Sequence, residues 1–559
     1  QVSKGLSSVN NGAESITGQI NMEYRKPTDE KPLFLNASVM NDTKTDFNIA
    51  SSLQMGEKWS TVLLGHVSGN FRTFDHNHDG FMDDPEMFQV NVANRWLYYG
   101  PTGVQVRFGL RALQDMRKGG QSGYDHKKYT LSSTSPWGSD IVNRQLNTYV
   151  KVGVPISADN AKNIAFVADY TLTDMNLRAG ASKYLATQNS GFFNVLFQDE
   201  INDSHKFTLA LGGTADWFSE DFMRKVAAQK LDPGKTAKAF YNAGVSGEYT
   251  FHAGEKFSSI LGFRGDWFNG EGFKAVPRLT LKYSPLEQIV LRANGGRGLR
   301  RALPVIDNIG VLSTGKAFTG AYSDHLLEDA WTFGGNATFY LPFGASDDTY
   351  LSFDYFGTRF AEQMVVDYEH GLNAIDFYAL GGKRSYSNNY QVDFNVEAFR
   401  RFTVSATFRY TDAKVELEGR GLVERPMTSR YKGVLNLQYA TNLNKWIFDF
   451  TASVNGKSRV YEFMKGLRGD DGELLYKDGY TPVYPLLYLQ VTKRFKGVDL
   501  YLGAENLTNF RQKNVVIGTA IEGMSGHVDA SRPDFDASAV WGPIMGTKFY
   551  LGARFTLWK

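Results

Sequence analysis

Apolar and polar residues alternate along most of this chain. Val104, Val106, Phe108 and Leu110 alternate with Gln105, Arg107 and Gly109. Phe402, Val404, Ala406, Phe408 and Tyr410 alternate with Thr403, Ser405, Thr407 and Arg409. Near the C-terminus Phe549, Leu551, Ala553, Phe555 and Leu557 share one face, opposite Tyr550, Gly552, Arg554 and Thr556. Leu487, Leu489, Val491 and Phe495 form a similar set that Lys493 interrupts. A period of two predicts strands with one apolar and one polar face. No helical period recurs.

Short polar turns punctuate these runs. They fall at Gly56–Lys58, Gly100–Gly103, Ser157–Asn163, Asn202–Lys206, Ala253–Lys256, Ser284–Glu287, Gly344–Asp348, Arg400-Arg401, Thr441–Lys445 and Lys496-Gly497. Each interval holds two alternating runs joined by a longer polar connection. Ten turns after Lys31 leave eleven strand pairs, which predicts 22 strands. Short connections at one end and long ones at the other are the pattern of an antiparallel transmembrane β-barrel. Twenty-two strands is the size of the plugged outer-membrane transporters. Trp59, Trp96 and Trp446 sit beside short turns, and Trp558 ends the last strand. Trp217 and Trp267 each lie ten residues beyond Phe207 and Phe257. Ten tilted strand residues climb roughly 24 Å, which matches an apolar band of about 25 Å with aromatic girdles.

Composition narrows the picture further. A length of 559 residues would suit three or four soluble domains, or one large barrel. The 42% hydrophobic content fits strands whose every second residue faces a wet lumen. The absence of Cys excludes disulfides and thiolate metal sites. There is no run of 18 apolar residues for a membrane helix. A net charge of +2 gives no basis for nucleic-acid binding. No G-x-S-x-G, H-E-x-x-H or P-loop occurs, so the chain reads as a non-enzyme. No signal peptide precedes Val2, which suggests a mature or truncated product.

Residues 2–27, VSKGLSSVNNGAESITGQINMEYRKP, resemble the last stretch of the plug domain of TonB-dependent outer-membrane receptors, with Gly5, Ser8, Gly12, Glu14, Gly18, Ile20 and Asn21 at the characteristic places. LYLGAENLTNF, with Asn506, Leu507 and Asn509, resembles the family's penultimate-strand motif. Two features depart from the family: most of the plug and its TonB box are missing, and the chain closes on Trp558-Lys559 rather than on an aromatic residue. The resemblance implies an all-β fold: residues 1–26 as the end of a plug and 27–559 as a 22-stranded outer-membrane barrel. It also implies a TonB-ExbB-ExbD partner and import of a scarce metal chelate: a ferric siderophore, haem or cobalamin. The alternatives are a glycan or peptide importer working with a surface lipoprotein, and a passive channel.

Two segments could carry binding chemistry. DHNHDGFMDDPE, residues 75–86, fits the calcium-loop pattern D-x-[DN]-x-[DN]-G-x5-E. Asp75, Asn77 and Asp79 would give side-chain oxygens, Phe81 its carbonyl, Asp83 a direct or water-mediated ligand, and Glu86 both carboxylate oxygens. This structural calcium would lie in an extracellular loop. The competing readings are a solvated acidic turn and a transition-metal site built on His76 and His78. The second segment is 295–329, where Arg297, Arg300 and Arg301 precede Tyr322 and His325. Guanidinium groups bind anionic chelates by charge-assisted hydrogen bonds, and Tyr and His could contact haem or a ferric complex. The competing reading pairs the arginines with Asp307, Asp324, Glu328 and Asp329. Further arginines on polar strand faces, Arg107, Arg111, Arg264, Arg292, Arg409 and Arg554, read as a lumen network.

Overall fold

The computed structural model describes all residues except 1, 29–30, 129–135, 158–160, 228, 372, 470–471, 519–528 and 558–559, and the side chains of 2, 3 and 233. The strand end predicted at Trp558 and part of the predicted Ser157–Asn163 turn lie outside the described residues. The strands of the barrel wall are β1 (Leu33–Met40), β2 (Thr45–Met55), β3 (Trp59–Asn70), β4 (Glu86–Tyr99), β5 (Gln105–Gly120), β6 (Gly138–Pro155), β7 (Lys162–Ala179) and β8 (Ser182–Asn202). They continue as β9 (His205–Val226), β10 (Gln229–Ala253), β11 (Phe257–Phe268), β12 (Gly272–Leu286), β13 (Ile289–Arg301), β14 (Leu327–Tyr340) and β15 (Tyr350–Glu362). The circuit finishes with β16 (Ser385–Phe399), β17 (Phe402–Leu417), β18 (Tyr431–Ala440), β19 (Trp446–Asn455), β20 (Tyr484–Arg494), β21 (Val498–Glu505) and β22 (Lys548–Leu557). Every strand pairs antiparallel with its sequence neighbours, and β22 pairs with β1 from Leu557↔Leu33 to Tyr550↔Met40. The result is the closed 22-strand barrel that the turn count predicts. Closure leaves no unpaired edge in lipid.

The short turns fall where the alternation breaks. At β8–β9 and β12–β13 the ladder runs on into the predicted turn, to Asn202↔His205 and to Leu286↔Ile289, after irregularities at Glu200 and Tyr283. At the other end the expected longer polar connections are only partly present. Gly180-Ala181 alone joins β7 to β8, and residues 269–271 join β11 to β12. Here the polar residues stay in the sheet. Strands β6 to β10 run for 18, 18, 21, 22 and 25 residues. Beyond the bilayer a ladder no longer needs an apolar outer face, so alternation fades while hydrogen bonding continues. A 25-residue strand at about 45° tilt rises roughly 58 Å, more than twice the apolar band of about 25 Å.

The outer wall is apolar. Leu209, Leu211, Val245, Leu261, Phe263, Leu502 and Leu551 are all exposed, as are Trp59, Trp217, Trp267 and Trp446. A continuous exposed apolar surface of this kind is a bilayer contact. Trp96, also predicted in a girdle, is half-buried and stacks on Phe108 with ring centroids 6.1 Å apart.

Long connections at the opposite end fold over the barrel and build their own core. Val311, Leu312, Phe318, Ile375 and Phe377 pack against Tyr184 and Phe222 of β8 and β9. Ala317–Gly320, Met364–Asp367 and Ala374–Ala379 form a three-stranded sheet within this assembly. Arg224 on β9 is fully buried beneath it. Its guanidinium donates to the Thr314 carbonyl at 2.5 Å, the Lys316 carbonyl at 2.6 Å and Ser182 Oγ at 2.8 Å, and it stacks over Phe318. Backbone carbonyls thus take the place of a carboxylate and hold the 302–320 connection to the wall.

Inside the lumen, residues 4–16 of the N-terminal segment lie against β8 to β16, and Tyr24 and Arg25 reach Arg95 of β4 and Arg111 of β5. Val2–Lys4 pairs with Gly18–Ile20, and Val9 and Ala13 are buried. Arg278 on β12 donates to the carbonyls of Ser7, Ser8 and Ala13 at 3.0, 3.1 and 3.0 Å. Asn194 Nδ2 donates to the Asn10 carbonyl at 2.7 Å, and Lys4 Nζ pairs with Asp354 at 3.0 Å. Gly298 permits this approach, because a Cβ there would stand 2.1 Å from the Ser15 carbonyl oxygen.

Candidate ligand-binding chamber

Beneath the outer connections lies a cavity of about 320 Å³. Its wall includes Asp169 on β7, Gln188 and Phe192 on β8, Asp216 and Phe218 on β9, and Phe240 on β10. Arg300 and Arg301 on β13 and Glu14 of the N-terminal segment complete it. Strand alternation brings Gln188 and Ser190 to one face, and their side chains meet at 3.1 Å. Burial, and then the charge of Asp216, push the Glu14 carboxyl above the usual carboxylate range.

The five predicted ligand residues do not form one cluster. Alternation places Arg297 and Arg300 on opposite faces of β13. Arg297 is committed to a two-point pair with Asp329, at 2.9 and 2.5 Å, and to the Ala275 carbonyl. Arg300 faces the cavity and pairs with Asp307 at 2.6 Å and Glu328 at 3.7 Å. Arg301 pairs with Glu271 at 3.1 Å, donates to the His325 carbonyl and lies over the Phe240 ring. Of the four acids offered as partners, Asp307, Glu328 and Asp329 are engaged in this way. Tyr322 packs on Phe318 and Phe377 in the outer core. The His325 ring sits between Phe218 and Phe240, with Nδ1 buried and without a hydrogen-bond partner. Burial first, then the nearby cations Lys238 and Arg301, push its pKa down to about 4.

The acidic loop between β3 and β4 is held largely by its own hydrogen bonds. Asp75 accepts from the Asp79 and Gly80 amides at 3.2 and 2.9 Å, and Asn77 Nδ2 donates to Asp79 at 2.9 Å. Asp75, Asn77 and Asp79 are therefore gathered on one turn. The other expected ligand side chains have partners of their own. Asp83 accepts from the His76 amide at 2.8 Å, and Glu86 opens β4 and pairs with Lys118 at 2.8 Å. Phe81 is buried with Trp137 and Phe535, anchoring the loop to the outer core. Burial, with the charges of Asp75 and Asp83, raises the Asp79 carboxyl. Among the described residues no group of three His, Asp or Glu side chains is disposed to hold a metal ion.

No protein-family model matches the chain, and no curated protein matches it in sequence. Solved structures do match it in shape. The ferripyoverdine receptor of the Pseudomonas aeruginosa outer membrane, bound to ferripyoverdine, superposes with a TM-score of 0.70 at 11% identity, over 100% of this chain and 76% of its own. The FrpB iron transporter of Neisseria meningitidis gives 0.69 at 10% identity, over 100% and 87%. The siderophore receptor PiuA of Acinetobacter baumannii gives 0.68 at 13% identity, over 100% and 86%. The chain has the fold of outer-membrane siderophore receptors. Within this receptor fold, Glu14, Asp169, Asp216, Phe218 and Phe240 are chamber residues that sequence reasoning missed. Alternation could have put Asp216 on a polar face, but strand residues as far apart in sequence as Asp169 and Arg301 meet here only through closure of the barrel.

Proposed function

We propose that the chain is the barrel of a TonB-dependent receptor in a bacterial outer membrane that imports a ferric siderophore. The observation that carries this reading is the full-length match to receptors and transporters of iron and its chelates. A closed, polar lumen with a chamber beneath ordered outer connections supports it. Glu14, Asp169 and Asp216 outnumber Arg300 and Arg301 in the chamber wall, and both arginines already carry carboxylate partners. A triply negative chelate meets net repulsion there, whereas a neutral or mixed-charge one finds hydrogen-bonding groups between Phe192, Phe218 and Phe240. A ferric tris-hydroxamate arm is the better fit. Residues 1–26 act in this reading as the end of a plug, driven by TonB-ExbB-ExbD, and calcium binds Asp75, Asn77 and Asp79. The test is uptake of radiolabelled iron by cells expressing the receptor. Ferric tris-hydroxamate should enter in preference to ferric tris-catecholate and stop when the proton gradient is dissipated. Equal uptake without the receptor, or uptake that ignores the gradient, would sink the reading.

A further inference from the structure

The rim at the short-turn end is not uniform around the barrel. On β16 to β19 the outward rings form an unbroken chain. Phe402 stacks on Phe399 at 4.7 Å, and Phe399 lies 6.3 Å from Tyr439. Tyr439 lies 6.5 Å from Phe448, which stacks on Trp446 at 6.3 Å. The chain ends on a charge. Lys493, paired across the ladder with Trp446, holds Nζ 4.3 Å from the Trp446 ring centre and 5.7 Å from that of Phe495. This is the lysine that breaks the apolar alternation of β20. It occupies a bilayer-facing position, where an ammonium is costly unless it reaches a polar partner at the interface.

The turns beside it supply more positive charge. Arg400, Lys445 and Lys496 are exposed on three consecutive short turns, and Leu443 projects from the middle one at 82% exposure. These turns, Arg400-Arg401, Thr441–Lys445 and Lys496-Gly497, contain no Asp or Glu. Beside these turns, Asp499 pairs with Arg494 at 3.5 Å and Glu397 accepts from the Arg401 amide. Elsewhere on this rim every short turn carries an acid except Gly100–Gly103, which is uncharged. One sector therefore combines exposed rings with cations whose own turns hold nothing to neutralise them.

We propose that this sector, from β16 to β21, binds the phosphate headgroup of an anionic phospholipid of the phosphatidylglycerol class. Lys493 meets the phosphate from the belt side and Lys445 and Lys496 meet it from the two nearest turns, while Arg400, one turn further round the rim, adds to the attracting field. The acyl chains lie along Phe399, Phe448 and Trp446. Cations at a bilayer surface attract anionic lipid, and aromatic rings sit at the headgroup level. An acidic soluble protein would not reach Lys493 within the belt. The site rests on the barrel spanning a bilayer and is independent of what the barrel imports.

The test uses the full chain in neutral detergent, stripped of lipid and offered equal amounts of phosphatidylglycerol and phosphatidylcholine, with retained lipid read by native mass spectrometry. Phosphatidylglycerol should be retained in preference. Lys493→Gln should lower its retention about fivefold, the share expected of one interfacial cation. Combining it with Arg400→Gln, Lys445→Gln and Lys496→Gln should abolish the preference. Lys58→Gln, Lys206→Gln and Lys256→Gln together, on other turns, should leave it intact, and excess inorganic phosphate should not displace the lipid. Equal retention of the two lipids would overturn the proposal, as would an unchanged Lys493→Gln variant or an equal loss in the control. Displacement by free phosphate would assign the site to a soluble anion instead. Should the quadruple variant fail to fold, the single variant decides.

Discussion

Arg459 grips the Glu369 carboxylate with both terminal nitrogens, at 3.0 and 2.7 Å, and so ties the 456–483 connection to the 363–384 connection. The Glu369 side chain is almost wholly buried, and Arg420 also reaches it at 3.4 Å. Removing one partner of a buried pair leaves the other charge stranded. Glu369→Gln should cost about 3 kcal/mol of local stability, read as faster amide exchange in both connections. Burial pushes the Glu369 carboxyl up, but the hydrogen bonds and charges of Arg459 and Arg420 outweigh this and hold it below the usual range. Its contribution is therefore present above about pH 4.3 and lost as pH falls through the lower folded value. Exchange in these two connections should accelerate only at that acidic limit.

His325 should respond earlier. Its folded pKa of about 4 lies below the ordinary histidine value of about 6.5, so the unfolded chain binds a proton that the native chamber refuses. Stability from the neutral ring is complete above the ordinary value and declines as pH falls from there toward 4. An NMR titration of the His325 ring should show no protonation near pH 6.5. A midpoint there would contradict the burial between Phe218 and Phe240.

Arg300 and Arg301 should matter for ligand, and Arg297 for the wall. Arg300→Ala with Arg301→Ala exposes Glu271, Glu328 and Asp307 to the chamber and should weaken ferric tris-hydroxamate binding about tenfold, measured by fluorescence quenching. Arg297→Ala breaks the pair with Asp329 and the bond to the Ala275 carbonyl, neither of which lines the chamber, and should leave the affinity unchanged.

Calorimetry addresses the acidic loop. Calcium should bind weakly, because Glu86 is held by Lys118, and Lys118→Met should tighten binding by freeing that carboxylate. Asp75→Ala should remove the heat. No heat from any of the three proteins would end the calcium reading.

Arg278 offers a handle on the lumen. Its three contacts to backbone carbonyls of Ser7, Ser8 and Ala13 should be worth about 3 kcal/mol together, and Arg278→Ala should expose residues 2–20 to added protease.

Much of the barrel was legible because the code for it is local. The pleat repeats every two residues, and turns announce themselves with Gly, Pro, Asn and charge, so strand number followed from counting. The tall strands were not legible, because alternation stops at the bilayer surface while the ladder does not. The chamber was harder still. Arg297 and Arg300 look equivalent in GGRGLRR, yet the pleat sends them to opposite faces, and Arg224 finds carbonyls rather than acids. The carbonyls that hold Arg224 come from a connection some ninety residues away, and a single sequence carries no mark of them, whereas Asp307, Glu328 and Asp329 lay close enough in the chain to be named as partners.

The long neighbouring strands β6 to β10 stand like a screen along one side of the mouth, while folded connections cover the other. A solute diffusing toward the chamber passes the long strands on one side and the folded connections on the other. Anything large that seeks the barrel from outside, such as an antibody or a phage tail, meets two different landscapes. One is a rigid ladder whose backbone is already paired and offers little to grip. The other is a patchwork of connections with many side chains on view. Variation that evades recognition without disturbing capture has room on the second side and almost none on the first.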